Sequence, residues 1–218
     1  MGPPIISVVI PILNEAAILP AVLRSCHREG ADQVLIANAG SKDEAEEVAA
    51  GFGHQVLHVA PPQRARQMNA AARVATGDLL VFLHADTIFE AGALDELRRA
   101  ALDHRIVGGG FQRRFRPASP LLRMSCQIGN LRARYLGWYF GDQAIWARRD
   151  AFQRVNGFPE VPIFEDLDFS RKLRRLGRTH LVFPGCHTSS RRFHHGTLSR
   201  LTKDILLTVR HVSLDSTP

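Results

Sequence analysis

Cysteine is scarce in this chain. Cys26, Cys126 and Cys186 are its only cysteines, and they are odd in number and far apart. Since they also lack the spacing of metal ligands, the sequence predicts neither a disulfide framework nor a zinc site. This cysteine usage is typical of a reducing compartment, and we expect a cytoplasmic protein.

Long apolar runs are missing as well. The stretch Ile5 to Leu13 is nine residues long, is interrupted by Ser7 and Pro11, and has no basic residue before it. It therefore predicts neither a signal peptide nor a membrane span. Internal repeats, low-complexity tracts and linkers are also absent from the 218 residues, and 45% of these are hydrophobic. A chain of this size and composition favours a single α/β domain with its own core.

Acidic residues are few in the second half of the chain. Residues 1–110 contain 9 Lys/Arg and 13 Asp/Glu, whereas residues 111–218 contain 19 and 8, so the halves carry net charges of −4 and +11. Such asymmetry predicts an anionic partner, which could be nucleic acid, a phosphorylated small molecule or an anionic membrane surface. The aromatic residues are not interleaved with the basic ones, and no helix-turn-helix or ribonucleoprotein motif is present. A nucleic-acid-binding domain is therefore a weak alternative.

One short apolar run organises the rest of the chain. Leu79 to Leu83 is five apolar residues long, follows Gly77-Asp78, and ends at His84 and Asp86. This pattern predicts a strand buried on both faces, and ligands of open α/β sheets lie beyond the carboxyl ends of such strands. Since residues two apart in an extended chain share a side, His84 and Asp86 could together hold one divalent cation. The alternative is an ordinary Asp-Thr turn.

The remaining pattern alternates strands and helices. Strands are predicted at 5–11, 34–37, 55–59, 106–115, 144–147 and 181–183, and helices after Asn14, at 63–75, 91–102 and 121–136, briefly from Asp150, and at 165–176. The order of the first elements, β-α-β-α-β-α-β, predicts a doubly wound, mostly parallel sheet with helices on both faces. Asn14 has the character of an N-cap, Ser41 and Glu44 have capping-box spacing, and the triplet 108–110 reads as a flexible glycine segment.

The C-terminal segment is predicted to be a separate amphipathic helix. Residues 1–195 would form the main domain and residues 196–218 a helix and tail, with the helix from Leu198 to Val212. Its apolar stripe includes Leu201, Ile205 and Val209, and Arg200, Lys203 and Arg210 lie elsewhere on the helix. Packing on the core, a homodimer contact and docking on the inner face of an anionic membrane are three interpretations.

Three motifs in this order resemble the family 2 glycosyltransferases, which are inverting enzymes of the GT-A fold. They are Ser7-Val8-Val9-Ile10-Pro11-Ile12-Leu13-Asn14-Glu15, Leu83-His84-Ala85-Asp86 and Phe164-Glu165-Asp166, with Ala39-Gly40-Ser41-Lys42-Asp43 after the second strand. The segments 67–72, 82–87, 141–143 and 189–192 are similar to one compact bacterial branch, which is often associated by name with arsenosugar biosynthesis. The resemblance covers the chain from about Ile5 to His195.

The resemblance implies a set of roles. It implies that the chain transfers a sugar from a nucleoside diphosphate sugar, which we expect to be UDP-linked, to the hydroxyl of a small-molecule or lipid acceptor. Such a transfer requires a divalent metal, Mn²⁺ or Mg²⁺, and a general base. Asp86, with His84, would hold the metal, Asp166 would be the base with Glu165 beside it, and Gly141, Asp142 and Gln143 would contact the acceptor. The residues implied in donor binding are Pro11, Asn14, Glu15, Asn38, Ser41, Arg64, Asn69, His84, Arg191 and Arg192.

Two residues depart from the family pattern, which usually has an Asp where this chain has Asn38 and a carboxylate where it has His84. Asn can still form hydrogen bonds and His can still bind Mn²⁺, so neither change excludes activity. A relative that binds a nucleotide sugar without transferring it is therefore an alternative. A nucleotidyltransferase would need a Gly-rich, Arg-bearing loop after the first strand, and the segment 11–14 is not one.

We also expect the start of a helix to keep Asp166 ionised near neutral pH. The plainer interpretation of Glu165 and Asp166 is an acidic first turn that stabilises the helix.

Overall fold

A computed structural model describes residues 2–193, 202, 206–208 and 210–213. The strands are β1 Ile6–Ile12, β2 Gln33–Asn38, β3 Gln55–His58, β4 Leu79–Phe82, β5 Thr87–Phe89, β6 Ile106–Arg116, β7 Ile145–Arg148 and β8 Arg178–Ser189. The helices are α1 Leu19–Arg28, α2 Ala45–Gly51, α3 Arg64–Val74, α4 Ala93–Ala100, α5 Pro120–Leu136, α6 Arg149–Arg154 and α7 Glu165–Leu176. Two 3-10 turns, Gly141–Gln143 and Arg191–Phe193, complete these elements.

One sheet of eight strands forms the centre of the molecule, in the order β3-β2-β1-β4-β7-β6-β8-β5. The first four strands of that order are parallel, as the alternating pattern predicts. β7 then pairs antiparallel with both β4 and β6, while β6 and β8 are parallel. The predicted α/β class, with a mostly parallel sheet, is confirmed.

Helices cover both faces of the sheet. Alternate residues of β1 point to opposite sides, so Val8 packs with α1, α2 and α4, whereas Val9 packs with α3, α6 and α7. This alternation follows from the two-residue period of a strand. Each face therefore has its own apolar core, and the carboxyl ends of β1, β2 and β4 meet at one edge.

The late part of the chain departs from the prediction. β8 is twelve residues long, although only its segment 181–183 is apparent in the sequence, because Pro184 and Gly185 interrupt the strand pattern. β5 has three residues and is recognisable only through its antiparallel pairing with β8. The prediction of a flexible glycine segment at 108–110 is wrong. A Cβ at Gly108 would lie 2.6 Å from the Trp146 carbonyl oxygen, and one at Gly110 would lie 2.6 Å from the Tyr139 ring.

Both predicted helix caps are also wrong. α1 begins at Leu19, with Pro20 in its first turn, where the missing N–H costs no hydrogen bond. Asn14 has left-handed backbone geometry, with φ of 56°, and lies in the loop before the helix. The Ser41 hydroxyl donates to Asn38 Oδ1 at 2.8 Å rather than capping α2, whose N-cap residue is Glu44. The side chains of Asn14 and Ser41 instead form hydrogen bonds between the loops that follow β1 and β2.

Most of the predicted C-terminal helix lies outside the described residues. That applies to Leu198, Arg200, Leu201, Lys203, Ile205 and Val209, and to the proposed domain boundary at 195/196. Residues 206–208 and 210–213 are helical, and His211 Nε2 lies 2.9 Å from Asp168 Oδ1 of α7. No helix among the described residues has the length and hydropathy needed to cross a membrane.

Candidate functional site

The candidate site lies at the carboxyl end of β4. The strand ends at Phe82, earlier than predicted, and the Thr87 N–H donates to the His84 carbonyl at 3.0 Å to close a turn. The extended geometry predicted for His84 and Asp86 is therefore wrong, because the chain turns between them. His84 lies against Gly141, whereas Asp86 faces Arg191, with 3.9 Å between Oδ2 and Nε.

Asp166 is held beside His84 by the 3-10 turn at 141–143. Its Oδ2 accepts the Gly141 N–H at 2.6 Å, and its Oδ1 accepts the Leu167 N–H at 2.7 Å. A Cβ added at Gly141 would overlap the His84 imidazole and lie 3.4 Å from Asp166 Oδ2. Gly141, a predicted acceptor contact, thus positions the carboxylate, and its lack of a side chain lets the three groups converge. Together with Glu165 they line one small cavity.

The pKa of Asp166 is raised to about 6, first by burial and then by the adjacent Glu165 carboxylate. The two backbone N–H groups and Arg64 lower it by less. The helix start is therefore not what sets the pKa of Asp166, which lies above its usual value rather than below it. A pKa near 6 still leaves the carboxylate mostly ionised at neutral pH, which suits a proton acceptor.

Arg64 connects the donor side of the site to this acidic pair. It is the first residue of α3, and its Nη1 donates to Glu165 Oε1 at 3.3 Å. In the middle of α3, Gln67 Nε2 donates to the carbonyls of Ile12 and Ala37, at 3.0 and 2.7 Å, which fixes the helix against the ends of β1 and β2. Gln67 is not among the predicted site residues, although it begins the segment 67–72 that is similar to the compact bacterial branch.

The predicted donor residues at the β1 and β2 ends form a connected loop structure. Asn14 Oδ1 accepts the Lys42 N–H at 2.8 Å, and the Asn14 N–H donates to Ser41 at 3.0 Å. Arg191 Nη2 donates to both oxygens of Glu15, at 2.9 and 2.8 Å, near Asp86. Pro11 is paired with Ala37 in the register of β1 and β2. The structure thus brings Glu15, Asp86 and Arg191 together; the side chain of Arg192 lies outside the described part of the chain.

Asn38 is 2% exposed, and its amide holds the neighbouring backbone. Its Oδ1 accepts the Gly40 and Ser41 N–H groups at 3.1 and 2.9 Å. Its Nδ2 donates to Glu46 Oε2 at 3.2 Å, and Glu46 Oε1 lies 3.2 Å from His58 Nε2. The side chain that departs from the family pattern therefore has a hydrogen-bond partner that a carboxylate could not keep.

We expect Asn38→Asp to destabilise the fold by about 1–3 kcal/mol, because a carboxylate would face Glu46 at hydrogen-bond distance. Glu46→Gln in the same chain should restore most of that loss, since the glutamine amide can donate to the new carboxylate. Urea unfolding of the two single variants and the double variant measures the coupling. Equal stability of Asn38→Asp and the wild type would show that the Glu46 contact is unimportant.

Asn69 is buried and binds the loop before α7. Its Nδ2 donates to the Phe158 carbonyl and its Oδ1 accepts the Phe158 N–H, both at 2.9 Å. Phe158 in turn stacks on Phe169 of α7, with ring centroids 4.1 Å apart. These contacts fix the loop that leads into Glu165 and Asp166, and the contact of Asn69 with the donor stays a prediction.

Asp142 and Gln143 belong to a buried polar network on the acceptor side. Asp142 forms an ion pair with Arg113 of β6, and both side chains are largely buried. Gln143 is fully buried, and its Oε1 accepts from Arg132 Nη2 at 2.9 Å. The Arg132 guanidinium also lies 3.9 Å from the centroid of the Phe140 ring. Burial, and then the neighbouring Arg113 charge, lower the pKa of Arg132 to about 10.

Neither Arg113 nor Arg132 was predicted as a site residue, because only the pairing of β6 and β7 and the packing of α5 bring them to the 3-10 turn. Burial alone would raise the pKa of the Asp142 carboxyl, but the charge and hydrogen bond of Arg113, together with His84 and Arg132, outweigh burial and hold that pKa below its usual range. The predicted acceptor contacts Asp142 and Gln143 thus bind side chains of the protein itself.

We expect Asp142→Ala to destabilise the fold by about 3–5 kcal/mol, because it leaves the buried Arg113 charge unpaired. The double variant Arg113→Met/Asp142→Leu should recover most of this loss, since it removes both charges together. Urea unfolding of both variants tests the point. A stable Asp142→Ala variant would show instead that the carboxylate is dispensable for folding.

This chain is similar to known proteins both in sequence and in fold. A PGL/p-HBAD biosynthesis glycosyltransferase of Mycobacterium bovis (strain BCG / Pasteur 1173P2) is 36% identical over 103 residues, which cover 43% of this chain and 40% of that protein. The mannosyltransferase PcManGT from Pyrobaculum calidifontis, in complex with GDP-Man and Mn²⁺, has a TM-score of 0.71 at 19% identity over 90% of this chain and 59% of that chain.

S. aureus TarS 1-349 in complex with UDP-GlcNAc has a TM-score of 0.69 at 15% identity, over 89% of this chain and 61% of that chain. These two structural likenesses establish a shared fold. This chain spans only part of the length of each of these relatives. Residues 7–194 match the family described as "Glycosyl transferase family 2". The chain belongs to glycosyl transferase family 2.

Proposed function

We propose that this protein is an inverting glycosyltransferase that moves a sugar from a nucleoside diphosphate sugar to an acceptor hydroxyl. The proposed donor is a UDP-linked sugar. The observation that supports this most directly is the convergence of Asp166, His84 and Gly141 at the end of β4. A carboxylate with a raised pKa therefore lies where α/β sheets bind their ligands, which supports Asp166 as the proton acceptor. The branch named for arsenosugar biosynthesis remains a prediction from the sequence.

In this mechanism Asp166 accepts the proton of the attacking acceptor hydroxyl. The Gly141 and Leu167 N–H groups fix both of its oxygens, which orients the carboxylate before substrate binds. Glu165, paired with Arg64, lies beside it and helps to keep the pKa of Asp166 near neutrality. Arg191 lies near Asp86 and could stabilise the negative charge of the diphosphate by charge-assisted hydrogen bonds.

The residues at the β4 end fit a divalent metal that is completed by the donor. No three His, Cys, Asp or Glu side chains converge as a metal site among residues 2–193 and the described C-terminal positions. Mg²⁺ and Mn²⁺ are commonly held by one or two carboxylates together with substrate phosphates and waters, so Asp86 matches that need, whereas the turn at 84–87 directs His84 to Gly141. When bound, the metal would neutralise charge on the departing diphosphate as a Lewis acid.

The alternative is a family member that binds a nucleotide sugar without transferring it, which the departures at Asn38 and His84 keep open. A thermal-shift panel of UDP- and GDP-linked sugars, with and without Mn²⁺, identifies the donor. Transfer or slow hydrolysis of the stabilising donor would exclude the binding-only alternative. If no nucleotide sugar stabilises the protein with or without metal, the proposed function is wrong.

A further inference from the structure

The outward face of α5 carries a row of exposed apolar side chains. Met124, Ile128, Leu131 and Tyr135 are 51%, 60%, 53% and 71% exposed. Their spacing of four, three and four residues places them in one line along the helix. We call these four residues the outer stripe of α5.

The opposite face of α5 is already buried. Leu122, Cys126, Gly129 and Ala133 are the buried residues of the helix, and they lie half a turn away from the outer stripe. A surface helix normally has one apolar face, which it buries against the core, and polar residues on the other. The outer stripe therefore does not contribute to the apolar core. Contiguous exposed apolar surface of this kind marks an interaction site.

The charge around the outer stripe indicates the chemistry of its partner. The seventeen residues of α5 include no Asp or Glu, whereas Arg123 and Arg134 are exposed on the flank of the stripe. Apolar side chains flanked by arginines are the pattern of a helix that lies in the plane of a membrane interface. Each arginine near the surface adds attraction to anionic lipid headgroups.

We propose that the outer stripe of α5 docks on an anionic lipid surface, with Arg123 and Arg134 at the level of the headgroups. The inner side of the same helix contacts the acceptor side of the site, because Arg132 binds Gln143 and Asn130 Nδ2 donates to the Arg113 carbonyl at 3.0 Å. Docking would therefore hold the acceptor side next to the membrane. The surface itself does not depend on the proposed function.

Co-sedimentation with vesicles tests this proposal. The wild type should bind mixed phosphatidylcholine/phosphatidylglycerol vesicles at low salt, and bind much less to pure phosphatidylcholine or at high salt. Ile128→Glu/Leu131→Glu should lower the partition coefficient by about tenfold or more for each substitution, because a charge replaces a membrane-buried side chain. Leu102→Glu is the matched control, since Leu102 is 69% exposed in the turn after α4; it should bind as the wild type does.

Failure of the wild type to bind anionic vesicles at low salt would overturn the proposal, as would wild-type binding by the double variant. Analytical ultracentrifugation gives the competing outcome: self-association that the double variant loses, without vesicle binding, would make the outer stripe a contact between copies of this chain. Urea unfolding of each variant verifies that it is folded. None of these measurements involves sugar transfer, so their failure is distinct from failure of the proposed function.

Discussion

Asp166→Asn is expected to slow single-turnover sugar transfer by ~10²–10⁴-fold, which is the usual contribution of general base catalysis. The asparagine has the same shape, and its Oδ1 can still accept one of the two backbone N–H groups that now hold the carboxylate. The affinity for the nucleoside diphosphate should change little, because the lost group acts on the acceptor hydroxyl. Saturating donor in the transfer assay and a separate binding measurement separate the two effects.

The pH dependence supplies a second readout. Since the pKa of Asp166 is raised to about 6, transfer by the wild type should rise through that pH and level off above it. Below the pKa the protonated carboxyl cannot accept the acceptor proton, so the rate should fall about tenfold per pH unit. This fall in rate at low pH should disappear in Asp166→Asn. Glu165→Gln should cost less and lower the pH midpoint, because it removes the neighbouring negative charge.

Unimpaired transfer by Asp166→Asn would show that another group is the base. A larger loss in Glu165→Gln than in Asp166→Asn would move that role to Glu165. Both variants retain the length of the side chain, so the packing of α7 at its first turn should persist in each. Circular dichroism and urea unfolding of the two variants provide the control.

The sequence was most informative where local pattern and tertiary structure agree. The apolar run at β4 is long enough only for a buried strand, and α7 begins at Glu165 and ends before Gly177, as its acidic first turn and terminal glycine predict. The parallel half of the sheet follows from the same local signals, because strands that alternate with helices form right-handed crossovers. The position of Asp166 at a helix start could therefore be inferred from the residues, whereas its role in the site was implied only by the family resemblance.

The partners of the site residues could not be inferred in this way. The contact between Asn38 and Glu46, the pair of Arg113 and Asp142, and the fixing of Asp166 by Gly141 depend on strand order and helix packing. The raised pKa of Asp166 is a result of the same packing, since burial outweighs the favourable helix start. The hydrogen bond from Arg132 to Gln143, a residue that the resemblance implies in acceptor binding, depends on the same packing.

Asp86→Ala is expected to abolish the Mn²⁺-dependent part of nucleoside diphosphate binding. Asp86 supplies the carboxylate of the turn after β4, 3.9 Å from Arg191 Nε, and a divalent cation shared with the donor phosphates needs a hard oxygen ligand there. For the wild type, a ligand at 100 times its dissociation constant should stabilise the native state by about 2.7 kcal/mol. Thermal unfolding with UDP or GDP, each with and without Mn²⁺, measures the part of this stabilisation that requires the metal.

His84→Ala is the informative companion of Asp86→Ala, because His84 lies against Gly141, beside Asp166. We expect its effect on metal-dependent binding to be smaller and its effect on transfer to be larger. Arg191 should keep its two hydrogen bonds to Glu15 in both variants, which preserves the shape of the donor side. Equal loss of metal-dependent binding in the two variants would make His84 a direct ligand. If Asp86→Ala binds the nucleoside diphosphate in the presence of Mn²⁺ as tightly as the wild type does, Asp86 does not hold a metal at this site.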